Sequence, residues 1–90
     1  MAKKPDRITR TAVRRFLLSN PSVEGMHLAD LQVYQDIDLA YAVMISRNHL
    51  VYEIDLKWED GQVRIIDMDI LVKQSEKPER FQFMGKEFRL

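Results

Sequence analysis

Residues 51–70 have the sequence VYEIDLKWEDGQVRIIDMDI, in which apolar and polar side chains alternate on both sides of an Asp-Gly pair. Alternation places successive side chains on opposite faces of a strand, and Asp-Gly is a strong signal for a β-hairpin turn. The stretch therefore predicts two antiparallel strands joined near Asp60 and Gly61. It also contains six carboxylates but only two basic residues, Lys57 and Arg64, which is an unusual density of negative charge.

The length of the hairpin loop determines which side chains face each other across the two strands. A two-residue loop would place Ile54 opposite Asp67, so that a carboxylate would be buried on the apolar face. We therefore predict a three-residue loop, 59–61, with Gly61 in the left-handed position of a bulge. In that register Ile54 faces Ile66, and the apolar side chains of both strands share one face.

The same register groups four carboxylates on the other, outer face: Glu53 faces Asp67, and Asp55 and Asp69 are diagonal neighbours. Directly opposed like charges weaken a sheet by up to about 1 kcal/mol unless something neutralises them. The group is interpreted either as a solvated acidic surface or as a docking patch for a basic partner. A divalent cation is less favoured, because flat strands seldom bring several oxygen ligands together. We expect no cofactor and no bound metal.

A preceding strand is predicted over residues 37–46, where Ile37, Leu39, Tyr41, Val43 and Ile45 alternate with other side chains. If those five side chains face the core, the outer face is more apolar than a freely solvated surface needs to be. We therefore expect a cover for it, either the C-terminal tail or a second copy of the chain in a homodimer. The apolar side chains assigned to the outer face are Ala40, Ala42, Met44, Val51, Val63, Ile65 and Leu71.

Residues 6–19 show apolar side chains at helical spacing and predict an amphipathic helix that ends before Asn20 and Pro21. A basic arm, 1–5, precedes it. Residues 20–30 mix turn formers with scattered apolar residues and are predicted to be a loop. The polar side of the helix carries a stripe of arginines that could contact a partner or the phosphates of a nucleic acid. These arginines are Arg7, Arg10, Arg14 and Arg15.

The C-terminal segment, 80–90, contains Phe81, Phe83, Phe88 and Leu90, which are too many large apolar residues for a free tail. We expect a docked tail, a small hairpin or a fourth strand. Together these elements predict a single α+β domain, 1–90, in which the helix packs on a curved antiparallel meander of three to four strands, of which three lie in 37–73. This order of elements resembles a cystatin-type or a truncated nuclear-transport-factor-type arrangement.

The composition predicts a small intracellular protein without a catalytic centre. The chain has no cysteine, which fits a cytoplasmic location and leaves no thiolate for metal binding or nucleophilic attack. Its two histidines, His27 and His49, have no ligand spacing, and its three glycines stand alone rather than in a phosphate-binding loop. An enzyme would need an open inner cavity, lined by Tyr41, Tyr52 and Trp58, for which aromatic core packing is the better interpretation.

The net charge is zero, but the charges are segregated along the chain. Residues 1–15 hold six basic residues and one acid, whereas residues 24–69 hold ten acids and three basic residues. Such asymmetry concerns association and surface potential, not fold. The leading hypothesis is a non-catalytic protein-interaction module, an adaptor or regulatory subunit, and the alternative is nucleic-acid binding through the arginine stripe.

Overall fold

The computed structural model describes residues 7–72 and 79–89, and the predictions for the arm at 1–5, for Lys73 at the end of the meander and for Leu90 lie outside that range. The described chain contains one α-helix, a four-stranded antiparallel sheet and a separate two-stranded sheet, which confirms the α+β class. The elements are α1 (Arg10–Ser19), β1 (His27–Tyr34), β2 (Leu39–Ile45), β3 (Val51–Glu59), β4 (Gln62–Val72), β5 (Arg80–Phe83) and β6 (Lys86–Arg89).

Helix α1 begins at Arg10, later than the sequence predicted, because Thr9 acts as its N-cap. The Thr9 hydroxyl accepts a hydrogen bond from the Ala12 N–H at 3.1 Å, so it satisfies one of the free amides of the first turn. The helix ends before Pro21, as expected. Ile8 lies before the helix and is nevertheless fully buried, and its N–H donates to the Asp38 carboxylate at 3.1 Å.

The four strands of the main sheet are hydrogen-bonded in chain order, β1-β2-β3-β4, so the sheet is the predicted meander. The prediction of a loop at 20–30 was wrong for its second part, because β1 begins at His27. A bulge at Ala29 interrupts the pairing of β1 with β2 and breaks the alternation that would have indicated a strand. Ile37, predicted to begin a strand, instead ends a turn of 3₁₀-helix, Gln35–Ile37.

The hairpin between β3 and β4 has a two-residue loop, so the predicted three-residue loop was wrong. Glu59 pairs with Gln62, and Asp60 and Gly61 both have positive φ angles, 54° and 75°, as a type I′ turn requires. A bulge at Ile66 then shifts the register by one residue. Ile54 consequently faces Met68 rather than Ile66 or Asp67.

Helix α1 packs on one face of the sheet, called here the helix face. The small side chains of Ala40 and Ala42 on β2 are buried there beside Ile54 and Leu56 of β3. The prediction that placed Tyr41, Val43 and Ile45 on this face was wrong, because β2 is apolar on both faces and its alternation does not identify the inner one. The buried members of this core are Ile8, Val13, Leu17, Val23, Leu31, Ala40, Ala42, Met44, Ile54, Leu56 and Val63.

Strands β5 and β6 form a small hairpin with a Met84-Gly85 turn, one of the arrangements predicted for the tail. The rings of Phe81 and Phe88 stack across the two strands with centroids 4.9 Å apart. The hairpin docks on the other face of the main sheet, the outer face, where it packs against a second apolar cluster. The buried residues of that cluster are Tyr41, Val43, Val51 and Val72.

Candidate functional site

The four carboxylates singled out in the sequence lie together on the outer face of β3 and β4, and we call them the acidic patch. Asp55 pairs with Asp67 and Glu53 pairs with Asp69, so two pairs of acids face each other directly. The predicted pairing of Glu53 with Asp67 was wrong, because the bulge at Ile66 moves β4 relative to β3. The shared face was correct, and the crowding is greater than predicted.

The geometry of the acidic patch is tight. Carboxylate oxygens of Asp55, Asp67 and Asp69 all lie within 4.8 Å of one another. None of the ion pairs in residues 7–72 and 79–89 involves a member of the patch. Asp67 Oδ1 instead accepts a hydrogen bond from the Met68 N–H at 2.9 Å. Like charges at this separation repel unless a proton or a cation is shared among them.

Two members of the patch bind protons more tightly than free side chains do. Partial burial, a hydrogen bond to Asp55 and the charges of the neighbouring acids raise the pKa of Glu53 to about 7. The charge of Asp67 raises the pKa of Asp69. Both shifts favour the neutral form, so the patch carries less than its full formal charge near neutral pH. A positive group placed against it would reverse both effects.

The three aspartates of the patch, Asp55, Asp67 and Asp69, are spaced so that they could hold a metal ion. Asp67 and Asp69 are exposed, and exposed acidic groups commonly lie this close without any ion. Calcium and magnesium sites also draw ligands from carbonyls and turns, which a flat pair of strands does not present. The geometry thus permits a cation without assigning one.

An apolar cleft of about 320 Å³ adjoins the acidic patch at the end of the sheet away from the β5–β6 hairpin. Asp55 belongs to both the cleft and the patch. Around it the large side chains of Ile37 and Ile66 are at least half exposed. The apolar side chains that line the cleft are Tyr34, Ile37, Leu39, Ala40, Tyr41, Leu56 and Ile66.

The predicted cover of the outer face is present, but it extends over only part of that face. Phe83 meets Tyr41 edge to face with centroids 5.9 Å apart, and Lys86 forms a 3.0 Å ion pair with Asp30 of β1. Among the described residues, the hairpin thus covers the outer cluster but leaves Asp67 and Asp69 of the acidic patch, and Ile37 and Ile66 of the cleft, exposed. Ala40, Ala42, Met44, Val63 and Ile65, which the sequence had assigned to this face, belong to the core on the helix face.

The four arginines do not form the single helical stripe that the sequence predicted. Arg7 precedes α1, and Arg10 donates from Nη1 to the Leu31 carbonyl oxygen of β1 at 2.6 Å. Arg14 and Arg15 are exposed on the helix. All four side chains are thus exposed, but Arg7 lies outside the helix and Arg10 has a structural contact.

The inner cavity that an enzyme would need is not formed by the residues named for it. Tyr41 lies on the outer face, whereas Tyr52 and Trp58 pack against the core of the helix face. Burial and the charge of Asp30 raise the pKa of the Tyr41 phenol, which keeps it protonated at neutral pH. His27 at the start of β1 and His49 between β2 and β3 are both exposed.

The sequence did not predict the apolar cleft. Its Tyr34 comes from β1, which was not predicted as a separate strand, and its Ile37, predicted to begin a strand, ends a 3₁₀ turn. The available signal was the HLADLQVY stretch, which alternates from Asp30 to Tyr34 once Ala29 is allowed as a bulge. The cleft also depends on where the hairpin stops, which no local pattern indicates.

Comparison of the chain with known proteins gives no match to a protein-family model, to a curated protein or to a solved structure. Within the described residues, no helix is both long enough and apolar enough to cross a membrane.

Proposed function

We propose that this protein is a small non-catalytic interaction module, an adaptor or regulatory subunit, that binds a basic segment of a protein partner on its outer face. The observation that carries the proposal is the acidic patch, four carboxylates with no ion pair in the described part of the chain. We further propose a cytoplasmic location and a cystatin-type relation of helix to meander.

The apolar cleft supports a protein partner over a simple counterion. A salt ion would neutralise the acids but would leave the side chains of Tyr34, Ile37 and Ile66 exposed to water. A peptide that carries lysine or arginine beside an apolar residue would satisfy both surfaces, because charged contacts give specificity and apolar burial gives affinity. Asp55, which lies at the boundary, would orient the basic residue.

The proposal is tested by titrating ¹⁵N-labelled protein with two basic peptides of equal charge, each about nine residues long. One alternates lysine and valine as a strand does, and the other places lysine and leucine at helical spacing. We expect at least one of them to shift the amide signals of β3 and β4. Changing Asp67 and Asp69 to Asn should weaken that binding about tenfold or more, since charged contacts carry it.

Glu24→Gln is the matched control for these variants, because Glu24 is an exposed acid in the turn after α1 and lies outside the patch. It should leave binding unchanged. The proposal is wrong if neither peptide binds, or if the control weakens binding as much as the patch variants do.

Nucleic-acid binding stays as the alternative, favoured by the exposed pair Arg14 and Arg15. It is weakened by the contact of Arg10 with Leu31 and by the acidic patch, which repels a polyanion. A gel shift at low salt, with wild type and with both exposed arginines changed to Gln, tests it. A complex that depends on these arginines would support the alternative, whereas the absence of any complex would remove it.

A further inference from the structure

Strand β4 lies at one edge of the main sheet, and within residues 7–72 and 79–89 no strand other than β3 pairs with it. It is eleven residues long: Val63 and Val72 are buried, Ile65 and Leu71 are half-buried, and the other seven residues are exposed. The bulges at Ile66 and Leu71 leave a regular stretch at 67–70, in which the Met68 N–H already donates to Asp67 Oδ1. The other unpaired backbone donors and acceptors of this stretch are available to another chain.

The opposite edge, β1, is protected by comparison. Arg10 of α1 donates to the Leu31 carbonyl oxygen, and Lys86 of β6 forms an ion pair with Asp30. Side chains that contact an edge strand in this way are one of the devices by which proteins protect sheet edges. Among the described residues, β4 has bulges at Ile66 and Leu71 but no side-chain hydrogen bond or ion pair from another element.

The two faces of β4 have different chemistry where the strand is open. Asp67 and Asp69 point to the outer face, whereas Met68 and Ile70 pair with Ile54 and Tyr52 on the helix face. Met68 is 36% exposed and Ile70 is 54% exposed. An added strand would therefore meet acids on one side and apolar side chains on the other.

We infer that β4 binds an extended segment of a partner by strand addition, and that the segment alternates basic and apolar residues. Its basic side chains would lie against Asp67 and Asp69, and its apolar side chains would cover Met68 and Ile70. Backbone hydrogen bonds would provide affinity, while the alternation would select the sequence. This inference rests on the proposed function and specifies how the partner binds.

A second copy of this chain does not fit the same edge. Antiparallel pairing of two β4 strands that keeps Met68 and Ile70 on one side also brings the aspartates of both copies together. Opposed like charges destabilise such a pair, and acids on an edge strand are a known protection against self-association. The charge of β4 therefore selects a basic partner over a homodimer.

The test uses the alternating lysine–valine peptide in three forms: unmodified, N-methylated on the lysine amides, and N-methylated on the valine amides. In an added strand, alternate amides point toward β4 and the others point to solvent. We expect one methylated form to lose about tenfold in affinity for each blocked amide and the other to bind as the unmodified peptide does. Intermolecular contacts by NMR should join the peptide backbone to residues 66–70.

Protein variants complete the test. Ile70→Gln removes an exposed apolar side chain from the proposed contact, and Leu18→Gln, at a residue that is 63% exposed on α1, is its matched control. Only the first should weaken binding. If the helical peptide binds and the alternating one does not, or if both methylated forms bind equally, strand addition is wrong while the proposed function stands. If neither peptide binds, both fail. Concentration-dependent dimerisation through β4 would also overturn the inference.

Discussion

The main sheet is apolar on both faces along β2, but the two faces are covered to different extents. On the helix face, α1 and Ile8 seal a core in which Ile54 and Leu56 are fully buried, although Met68 and Ile70 of the edge strand β4 stay exposed there. The outer face is covered by the β5–β6 hairpin on one half and is open on the other, where four acids and an apolar cleft meet. Folding requires a buried core on the helix face, but it does not require a group of acids on the outer face.

The difference indicates where stability and where binding should be sought. Changes on the helix face remove contacts that every folded molecule has, so they should affect the free energy of unfolding. Changes in the acidic patch remove repulsion, so they should stabilise the isolated protein while weakening its contact with a basic partner. Such a trade-off between stability and binding is typical of functional sites.

The largest expected effect is on the helix face. Ile54→Ala should lower the free energy of unfolding by about 2–5 kcal/mol, because a fully buried side chain leaves a cavity. Ile66→Ala, at a half-exposed residue of the outer face, should cost less than about 1 kcal/mol. Urea unfolding measures both. Equal losses would mean that the two faces are not differently closed.

A smaller loss of stability is expected when the packing of the β5–β6 hairpin on the outer face is weakened. Phe83→Ala removes the edge-to-face contact with Tyr41 and should cost about 1–2 kcal/mol, less than a fully buried aromatic residue would. Hydrogen exchange should show β5 and β6 losing protection while β1–β4 keep theirs. Simultaneous loss of protection in both sheets would show that the hairpin is part of the main cooperative unit.

Arg10 tests whether the β1 edge is held by a side chain. Arg10→Gln removes the donor to the Leu31 carbonyl oxygen and should lower stability by about 1 kcal/mol. Arg14→Gln, at an exposed residue of the same helix, is the control and should change stability by less than about 0.5 kcal/mol. A control that loses as much as Arg10→Gln would assign the effect to helix charge instead.

The acidic patch should act in the opposite direction and depend on pH. The pKa of Glu53 is raised in the folded protein to about 7, so the folded state binds the proton more tightly than the unfolded state does. The resulting stability is fully present at low pH, below the ordinary Glu value, and is lost as pH rises through about 7.

Glu53→Gln should therefore stabilise the protein above neutral pH, by up to about 1 kcal/mol, and should have little effect in acid. Thermal unfolding across this pH range measures the difference, with Glu24→Gln as a variant that should show no such dependence. A destabilising effect of Glu53→Gln at high pH would mean that the Glu53 carboxylate has a favourable contact.

The acidic patch could be predicted from the sequence even though its register could not. The predicted loop and the observed combination of a two-residue loop with the Ile66 bulge differ by two residues in register at Glu53. Because side chains alternate with a period of two, an even shift keeps every residue on its face. The face of the patch was therefore right, and only the pairing of its members was wrong.

Other features could not be predicted, because they depend on contacts distant in sequence. Ala40 and Tyr41 belong to a strand that is apolar on both sides, and only the positions of α1 and the hairpin determine which side each one covers. The Ala29 bulge interrupts the alternation of side chains along β1, and the Ile66 bulge shifts the register of β4, so alternation alone predicted neither correctly. The local sequence pattern does not indicate at which residue a bulge will form.

The proposed binding of a basic partner by the acidic patch is tested most directly by the pKa of the Glu53 carboxyl group. It is measured by ¹³C NMR with and without the alternating lysine–valine peptide. We expect a value of about 7 in the free protein and a clear decrease when the peptide binds, because nearby positive charge stabilises the carboxylate. A pKa in the ordinary range for glutamate, unchanged by the peptide, would contradict both the crowding of the patch and its proposed role.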